Sequence, residues 1–310
     1  MRVAVTGATG FIGGAMIFQL LKAGHEVCAV VRPGSSNLPY LLQQVPDERR
    51  SAFTLIELPL AQITELPKQV SSDFDAFVHM GWDGAGSDNR TNRELQQRNV
   101  MYGLEAVRTA AALGCRTFLF TGSQAEYGVY HRTITEDLPC FPVSEYGKAK
   151  TEFANEAKNL CKILKMEYIH TRIFSVYGPG DHPWSLVNTC LKTWRENGEM
   201  KLGECTQKWN FLYIKDAAAA LIALLKTGKG GVYNVAGEDT RGLREYIEEM
   251  YAICGNQGSF QYGERPQNAE GPADLMPDIS KICEVTGWKP EISFAEGIHE
   301  TLHSLQKGIA

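Results

Sequence analysis

Short β-branched apolar runs alternate with longer amphipathic stretches through the first half of the chain, and this alternation restricts the fold more than any other feature. The spacing predicts strands at 2–6, 26–31, 52–57, 74–80, 116–121 and 167–173, and helices at 11–23, 61–70, 92–113, 144–165 and 215–227. The strand runs are apolar throughout rather than at every second residue. Such strands are buried on both faces, and strand–helix repeats of this kind build a parallel sheet covered by helices on each side. The expected fold class is therefore α/β, a doubly wound parallel sheet.

Local signals agree with this reading. Gly24 follows the first helix where a left-handed cap is expected, and Ser144 is placed to cap the start of the helix at 144–165. After about residue 174 the texture changes. Segments 178–208 and 236–310 are richer in Gly, Pro and short mixed elements, while 209–235 again reads as strand, helix, strand. The expected organisation is one unit from 1–173 and 209–235, with a smaller lobe from 174–208 and 236–310 closing over the carboxyl ends of the strands.

A chain of 310 residues can bury a full core. Its net charge of −5 argues against a nucleic-acid or anionic-membrane surface. The eight cysteines are scattered with no CxxC pair, which suits reduced thiols better than a disulfide framework, and the seven histidines show no HxxxH pairing, so no metal is expected. The run 2–6 is already a buried-strand pattern, and the apolar run 217–225 is far shorter than the roughly 20 residues that span a bilayer. A cytoplasmic protein is expected.

Gly7, Gly10 and Gly13 follow the first strand and open the first helix, with Thr9, Phe11 and Ile12 among them. Gly7 permits a tight turn, Gly10 lets the backbone approach a pyrophosphate, and Gly13 allows helix to pack closely on strand. The helix N-terminus then offers free N–H groups and partial positive charge to phosphates. A plain strand-to-helix turn is the bland alternative; a methyltransferase loop would crowd its glycines into GxGxG. A Rossmann-type sheet that binds NAD places an acid near the end of its second strand. Here Val31 stands in that place and Arg32 follows. A guanidinium pairs well with a 2′-phosphate, so NADP is expected ahead of NAD, unless Arg32 is simply a solvated loop charge.

Tyr146 and Lys150 are an i, i+4 pair and share one helix face. A phenol has an ordinary pKa of about 10, too high for a general base at neutral pH. A neighbouring ammonium and an oxidised nicotinamide both favour the phenolate and bring it into range. Lys150 is also placed to bond a cofactor ribose. Ser123 ends a predicted strand, where its hydroxyl can orient a substrate oxygen. Each alone is more often a solvated lysine, a packing tyrosine or a turn serine. Following a phosphate loop, the three together point to coupled hydride and proton transfer.

The chain resembles an extended short-chain dehydrogenase/reductase of the NAD(P)-dependent nucleotide-sugar epimerase/dehydratase family. The resemblance rests on the runs 6–13, 75–80, 121–128, 146–150, 172–181, 213–216, 233–237 and 287–290. It implies that Ser123, Tyr146 and Lys150 are catalytic. It sets His79, Met80 and Gly81 against the cofactor, with Glu57 and Leu58 bordering the adenine and Phe174 and Ser175 where nicotinamide meets substrate. Asn99 resembles the family's support residue beneath the site, or equally a buried amide bridging helices. The resemblance also implies a homodimer pairing helices 92–113 and 144–165.

Departures from the family pattern bear on the reaction. Dehydratases of this branch carry Asp-Glu directly after the catalytic hydroxyl residue, where this chain has Gln124 and Ala125, with Glu126 one residue late. A 4,6-dehydratase is not expected. Epimerases commonly place an arginine where Trp209 stands, whereas Arg265 matches a second diphosphate anchor. Trp209 either stacks on a base or sugar, or packs in the core. The substrate-binding set is thus Ser123, Gln124, Ser175, Trp209 and Arg265, and the expected substrate a nucleotide-diphosphate sugar. Epimerase and ketoreductase share this chemistry. A ketone reductase of a non-sugar substrate and a non-catalytic dinucleotide sensor are the alternatives; the sensor's signature, loss of Tyr or Lys, is not met.

Overall fold

The computed structural model describes residues 1–71, 73–86, 89–265 and 273–307. In chain order the elements are β1 (Arg2–Thr6), α1 (Phe11–Lys22), β2 (Glu26–Val31), α2 (Leu38–Gln44), β3 (Phe53–Glu57), β4 (Ala76–His79), α3 (Arg93–Ala112) and β5 (Thr117–Ser123). There follow α4 (Glu145–Ile163), β6 (Glu167–Ile173), β7 (Ser175–Tyr177), α5 (Leu186–Arg195), β8 (Glu199–Lys201), β9 (Lys208–Tyr213), α6 (Ile214–Thr227) and β10 (Gly231–Val235). The last are β11 (Thr240–Gly242), α7 (Leu243–Ile253), β12 (Ser259–Gln261), α8 (Ser280–Thr286) and α9 (Phe294–Gln306).

Seven strands form one parallel sheet in the order β10-β6-β5-β4-β1-β2-β3. Alternate strand residues feed opposite faces. Val3, Val5, Ala29 and Val31 join α1 and α6 in one apolar cluster. Ala4, Val30, Phe77, Phe118 and Phe120 join α3 and α4 in the other. Both faces are dry, which is why these strands read as continuously apolar. The strand order reverses at β1 and β4, and the crevice beyond their carboxyl ends is where such sheets take ligands.

A third cluster, with Trp194, Tyr213, Tyr246 and Phe294, is built from α5, α7, α9 and β9. It is roofed by a three-stranded sheet, β11-β9-β7, and a β8–β12 pair. Two expectations change here. Strand β9, expected with the large sheet, pairs with β7 and β11 instead; only α6 and β10 return to it. The helix expected at 61–70 is a 3-10 path over Leu60–Lys68, broken at Gln62 and carrying Pro67 inside. Proline removes a backbone donor and clashes with the preceding turn, which kinks or breaks an α-helix. Gly24 adopts the left-handed conformation expected of it, with φ +85°. Among the described residues no helix is long and apolar enough to cross a membrane, and no cluster of His, Cys, Asp and Glu has the geometry of a metal site.

Candidate functional site

The loop after β1 is built for close backbone contact. Gly7 has φ +71°, and a Cβ there would lie 2.7 Å from Gly81 N and from the Met80 carbonyl carbon, so the loops after β1 and β4 touch. A Cβ on Gly13 would sit 2.2 Å from the Gly7 carbonyl oxygen. The α1 N-cap is Gly10, with no side-chain cap and no acid in the first turn. The orphan N–H groups of this turn are left for an anion, and nothing there repels one. Thr9 carries the loop's outer side, accepting from Ser35 Oγ at 2.9 Å and, through its carbonyl, from Asn37 Nδ2 at 3.3 Å. The residues of this turn fit a dinucleotide pyrophosphate. A hollow of about 1030 Å³ runs from Thr9, Gly10 and Phe11 along the flank of α1 to Lys22, with Tyr40 and Glu300 also lining it.

The loop after β4 is pinned from α3. Asn99 Oδ1 accepts from Asp83 N–H at 3.0 Å, and its Nδ2 donates to the Asp83 carbonyl at 2.8 Å. Gln96, which sequence reasoning missed, accepts from Trp82 Nε1 at 2.8 Å and donates to the carbonyls of Gly84 and Asn89. Two residues of the expected site, Asn99 and His79, are buried here. Both ends of the Asn99 amide bond the Asp83 backbone, as expected of a buried bridging amide. His79 is fully buried among Phe118, Phe120 and Phe153, and its Nδ1 shares a 2.8 Å hydrogen bond with Thr6 Oγ1. Burial, with the Lys150 charge, pulls its imidazole down to about 3, so it is neutral packing behind the crevice.

Of the remaining cofactor positions, Met80 is partly buried and donates its N–H to the Thr6 carbonyl at 3.2 Å. Glu57 is exposed at the end of β3, whereas Leu58 is buried and tied by its N–H to the Val31 carbonyl at 2.8 Å. Phe174 is buried against Tyr127, and Ser175 opens β7 half-buried. Arg32 is 72 % exposed, 3.5 Å from the Asp83 carboxylate.

Lys150 and Tyr146 come from the first two turns of α4, which Ser144 caps by accepting from Gly147 N–H at 3.2 Å. Both are buried, at 3 % and 9 % exposure. Lys150 Nζ donates to the Thr121 carbonyl at 2.8 Å, two residues before Ser123 on β5. It lies 4.1 Å from the Trp82 ring centre and 5.6 Å from that of Tyr146. Trp82 meets Tyr146 edge to face, and the Arg90 guanidinium sits 4.7 Å over the Tyr146 ring. Trp82 and Arg90 carry no motif that marks them in sequence. Burial pulls the Lys150 ammonium down to about 7, the Glu126 charge pushing partly back.

Ser123 ends β5, and its Oγ accepts from Ala125 N–H at 3.2 Å and donates to Gln124 Oε1 at 3.3 Å. Gly147 binds α4 to this turn: a Cβ there would fall 2.5 Å from the Ala125 carbonyl oxygen. Gln124, Ala125 and Ser144 in turn form one wall of a cleft of about 350 Å³, whose opposite wall includes Trp209 and Arg265. Of the five predicted substrate residues, Gln124, Trp209 and Arg265 line this cleft, whereas Ser123 and Ser175 do not. Trp209 packs, partly buried, against two apolar clusters and also lines the cleft.

A model of the NAD dependent epimerase/dehydratase family matches residues 3–236, three-quarters of the chain. The chain belongs to that family. Among curated relatives of this family member, an uncharacterized UDP-glucose epimerase of Bacillus subtilis is 26% identical, over 96% of each chain. CDP-abequose synthase of Salmonella muenchen is 25% identical, over 97% of each. The fold of this chain is similar to that of UDP-glucose 4-epimerase from Thermotoga maritima, solved with UDP-glucose, at TM-score 0.86, 19% identity and full coverage of both chains. UDP-glucuronic acid 4-epimerase from Bacillus cereus, solved with NAD, aligns at TM-score 0.83 and 23% identity over 100% of this chain and 99% of that one.

Proposed function

We propose that this family member oxidises or reduces a carbinol carbon of a nucleotide-linked sugar or keto-sugar, as an epimerase or a 4-ketoreductase. The observation that supports this most is Lys150, buried beneath Tyr146 and bonded to the strand that ends in Ser123. In this reading Ser123 Oγ holds the substrate oxygen, and Tyr146 takes or returns the hydroxyl proton. Lys150 sets the charge around the phenol and reaches a ribose hydroxyl. A bound nicotinamide supplies the hydride acceptor or donor. Gly7, Gly10, Phe11, Ile12 and Gly13 would hold its pyrophosphate, with Met80 and Gly81 across the crevice. Residues 174–213 and 236–310 would form the substrate lobe, with Trp209 and Arg265 facing the nucleotide sugar.

A 4,6-dehydratase is disfavoured on chemical grounds. Glu126, the carboxylate nearest in sequence to the serine, is fully buried and engaged with His170 and Arg172. A second reading, an NADPH-dependent reductase of a non-sugar ketone, draws on the cleft itself. Val129, Val143, Leu202, Leu243 and Leu275 line it, and Arg265 is its one cation among the described residues. The two readings separate when purified protein meets a panel of UDP-, dTDP-, CDP- and GDP-sugars, followed by isomer ratio and nicotinamide absorbance. Isomer interconversion without net cofactor change identifies an epimerase; net oxidation of NADPH identifies a ketoreductase. Silence across the panel by a protein that binds NADPH transfers support to the non-sugar ketone.

NADP is the cofactor we infer, since β2 ends without an acid and Arg32 follows it, largely exposed. Its contact with Asp83 is a solvent-exposed pair worth about 0–1 kcal/mol, little enough to yield to a 2′-phosphate. Arg32→Ala is expected to weaken NADP binding about tenfold or more while leaving NAD within about twofold, a charge-assisted hydrogen bond contributing roughly 1.5–3 kcal/mol. Titration of both cofactors checks this, and a wild-type preference for NAD overturns it. A homodimer is also proposed, through the α3 and α4 faces that carry the exposed Met101 and Ile163. Light scattering at micromolar concentration tests it, and a monomer mass rejects it.

A further inference from the structure

Behind Ser123 lies a cluster of charged side chains that the proton exchange does not use. Glu126 is fully buried, and its Oε1 accepts from Ser123 N–H at 2.8 Å. Its Oε2 is 3.0 Å from His170 Nε2 and 3.3 Å from Arg172 Nε, both on β6. Arg172 continues to the Glu136 carbonyl at 3.3 Å and lies 4.4 Å over the Tyr127 ring. Gly122 leaves room for all of this: a Cβ there would fall 2.2 Å from Glu126 Oε1 and 2.4 Å from His170 Nε2. The Gly-Ser pair at the end of β5 is thus a serine with its carboxylate seat attached.

Burial alone would raise the Glu126 carboxyl, but His170, Arg172 and the Ser123 N–H together hold it below the ordinary carboxylate range. It is an anion in the interior. Buried ion clusters of this kind are seldom more stable than apolar packing of the same shape, so stability alone gives little reason for one here. Its placement gives a better one. With Ser123 Oγ accepting from Ala125 N–H, the Glu126 contact closes a capping box that fixes both the backbone and the side chain of Ser123. The same anion also opposes the desolvation of the Lys150 ammonium.

We propose that Glu126 is a positioning residue for the proton exchange, holding Ser123 by its backbone and supplying a buried negative charge that acts on Lys150; this rests on the Ser123–Tyr146–Lys150 reading above. The charged and titratable groups around Lys150 are Tyr146 on its own helix, His79 from β4, Glu126 after β5, His170 and Arg172 from β6, and Arg90 over the Tyr146 ring. Of these, Glu126 is the anion. Its loss makes the ammonium easier to deprotonate and draws the alkaline limb of the rate profile towards lower pH.

Glu126→Gln keeps the shape and an acceptor for Ser123 N–H but removes the charge. Its kcat is expected to fall about tenfold, with KM and cofactor Kd within about twofold, and the alkaline limb of kcat to move about one pH unit lower. Should that variant fail to fold with Arg172 stranded, Glu126→Gln/Arg172→Met removes the stranded cation and is expected to show the same loss of kcat at unchanged KM. Wild-type kcat in a folded form of either variant, or an unmoved limb in a folded single variant, overturns the proposal. Tyr146→Phe run alongside separates the two levels. Normal turnover in Tyr146→Phe defeats the site reading itself, whereas an inactive Tyr146→Phe beside wild-type Glu126 variants defeats only the role of Glu126.

Discussion

Tyr146→Phe is expected to lower turnover at least about a hundredfold and to leave cofactor affinity within about twofold, since a positioned acid–base group contributes roughly 10²–10⁴ in rate. The substitution deletes one oxygen. The ring that remains still meets Trp82 edge to face and still lies under the Arg90 guanidinium, so the packing at the start of α4 is kept. The Ser144 cap is likewise untouched. Loss of rate without loss of binding is what removal of a proton-exchange group predicts, and isothermal titration of cofactor beside steady-state rates measures both. A variant as active as the wild type assigns the proton to some other group.

Lys150→Met is expected to abolish activity and yet raise the melting temperature at pH 6. The folded Lys150 titrates near 7 because burial disfavours its charge, whereas an unfolded lysine titrates near about 10.4. Below pH 7 both states hold the proton, and the folded chain bears the whole cost of a buried ammonium. Between about 7 and 10.4 the unfolded chain holds more protons, so stability rises with pH through that window. Methionine, of similar length and apolar, carries no such cost. The gain at pH 6 is on the order of a few kcal/mol, or several degrees in a chain of this size, and it shrinks as pH approaches 10. A calorimetric series from pH 6 to 10 reads it. If Lys150→Met melts lower than wild type at pH 6, the Thr121 carbonyl and the aromatic faces outweigh desolvation, and Lys150 is an ordinary charged lysine.

The large sheet was legible because its strands are covered on both faces and leave an unbroken apolar signal, as in EVCAVV at Glu26–Val31. Helix α4 was legible because Ser144 caps it and its apolar positions keep helical spacing. The second lobe was less so. In α5 the buried set Val187, Cys190, Leu191 and Trp194 does follow helical spacing, but over only ten residues and between Gly- and Pro-rich neighbours. In α2 only Leu41 is buried, so no period exists to find. Strand β9 was recognised as a strand and assigned to the wrong sheet, because local pattern does not report a strand's partner.

The candidate site divides in the same way. Gly7, Ser123, Tyr146 and Lys150 stand in short motifs whose chemistry is local. Asn99 and His79 stand out only by likeness, since nothing local in the sequence shows that both are buried and tied to backbone or to Thr6. The Glu126 cluster escaped notice because its members lie 44 and 46 residues apart, joined only when β5 and β6 align Phe120 with His170 and Gly122 with Arg172. One hint was available: EYIHTRI places histidine and arginine in an otherwise buried strand, and buried charges need partners.

The bare backbone of Gly147, lodged against the Ala125 carbonyl, gears the helix to the turn. A tilt of α4 that carries Tyr146 is therefore expected to press on the turn that follows Ser123. On the proposed reading, retuning for another substrate is therefore work for the cleft residues Leu202, Trp209 and Leu275, where substitutions are expected to leave the proposed proton-exchange groups in place.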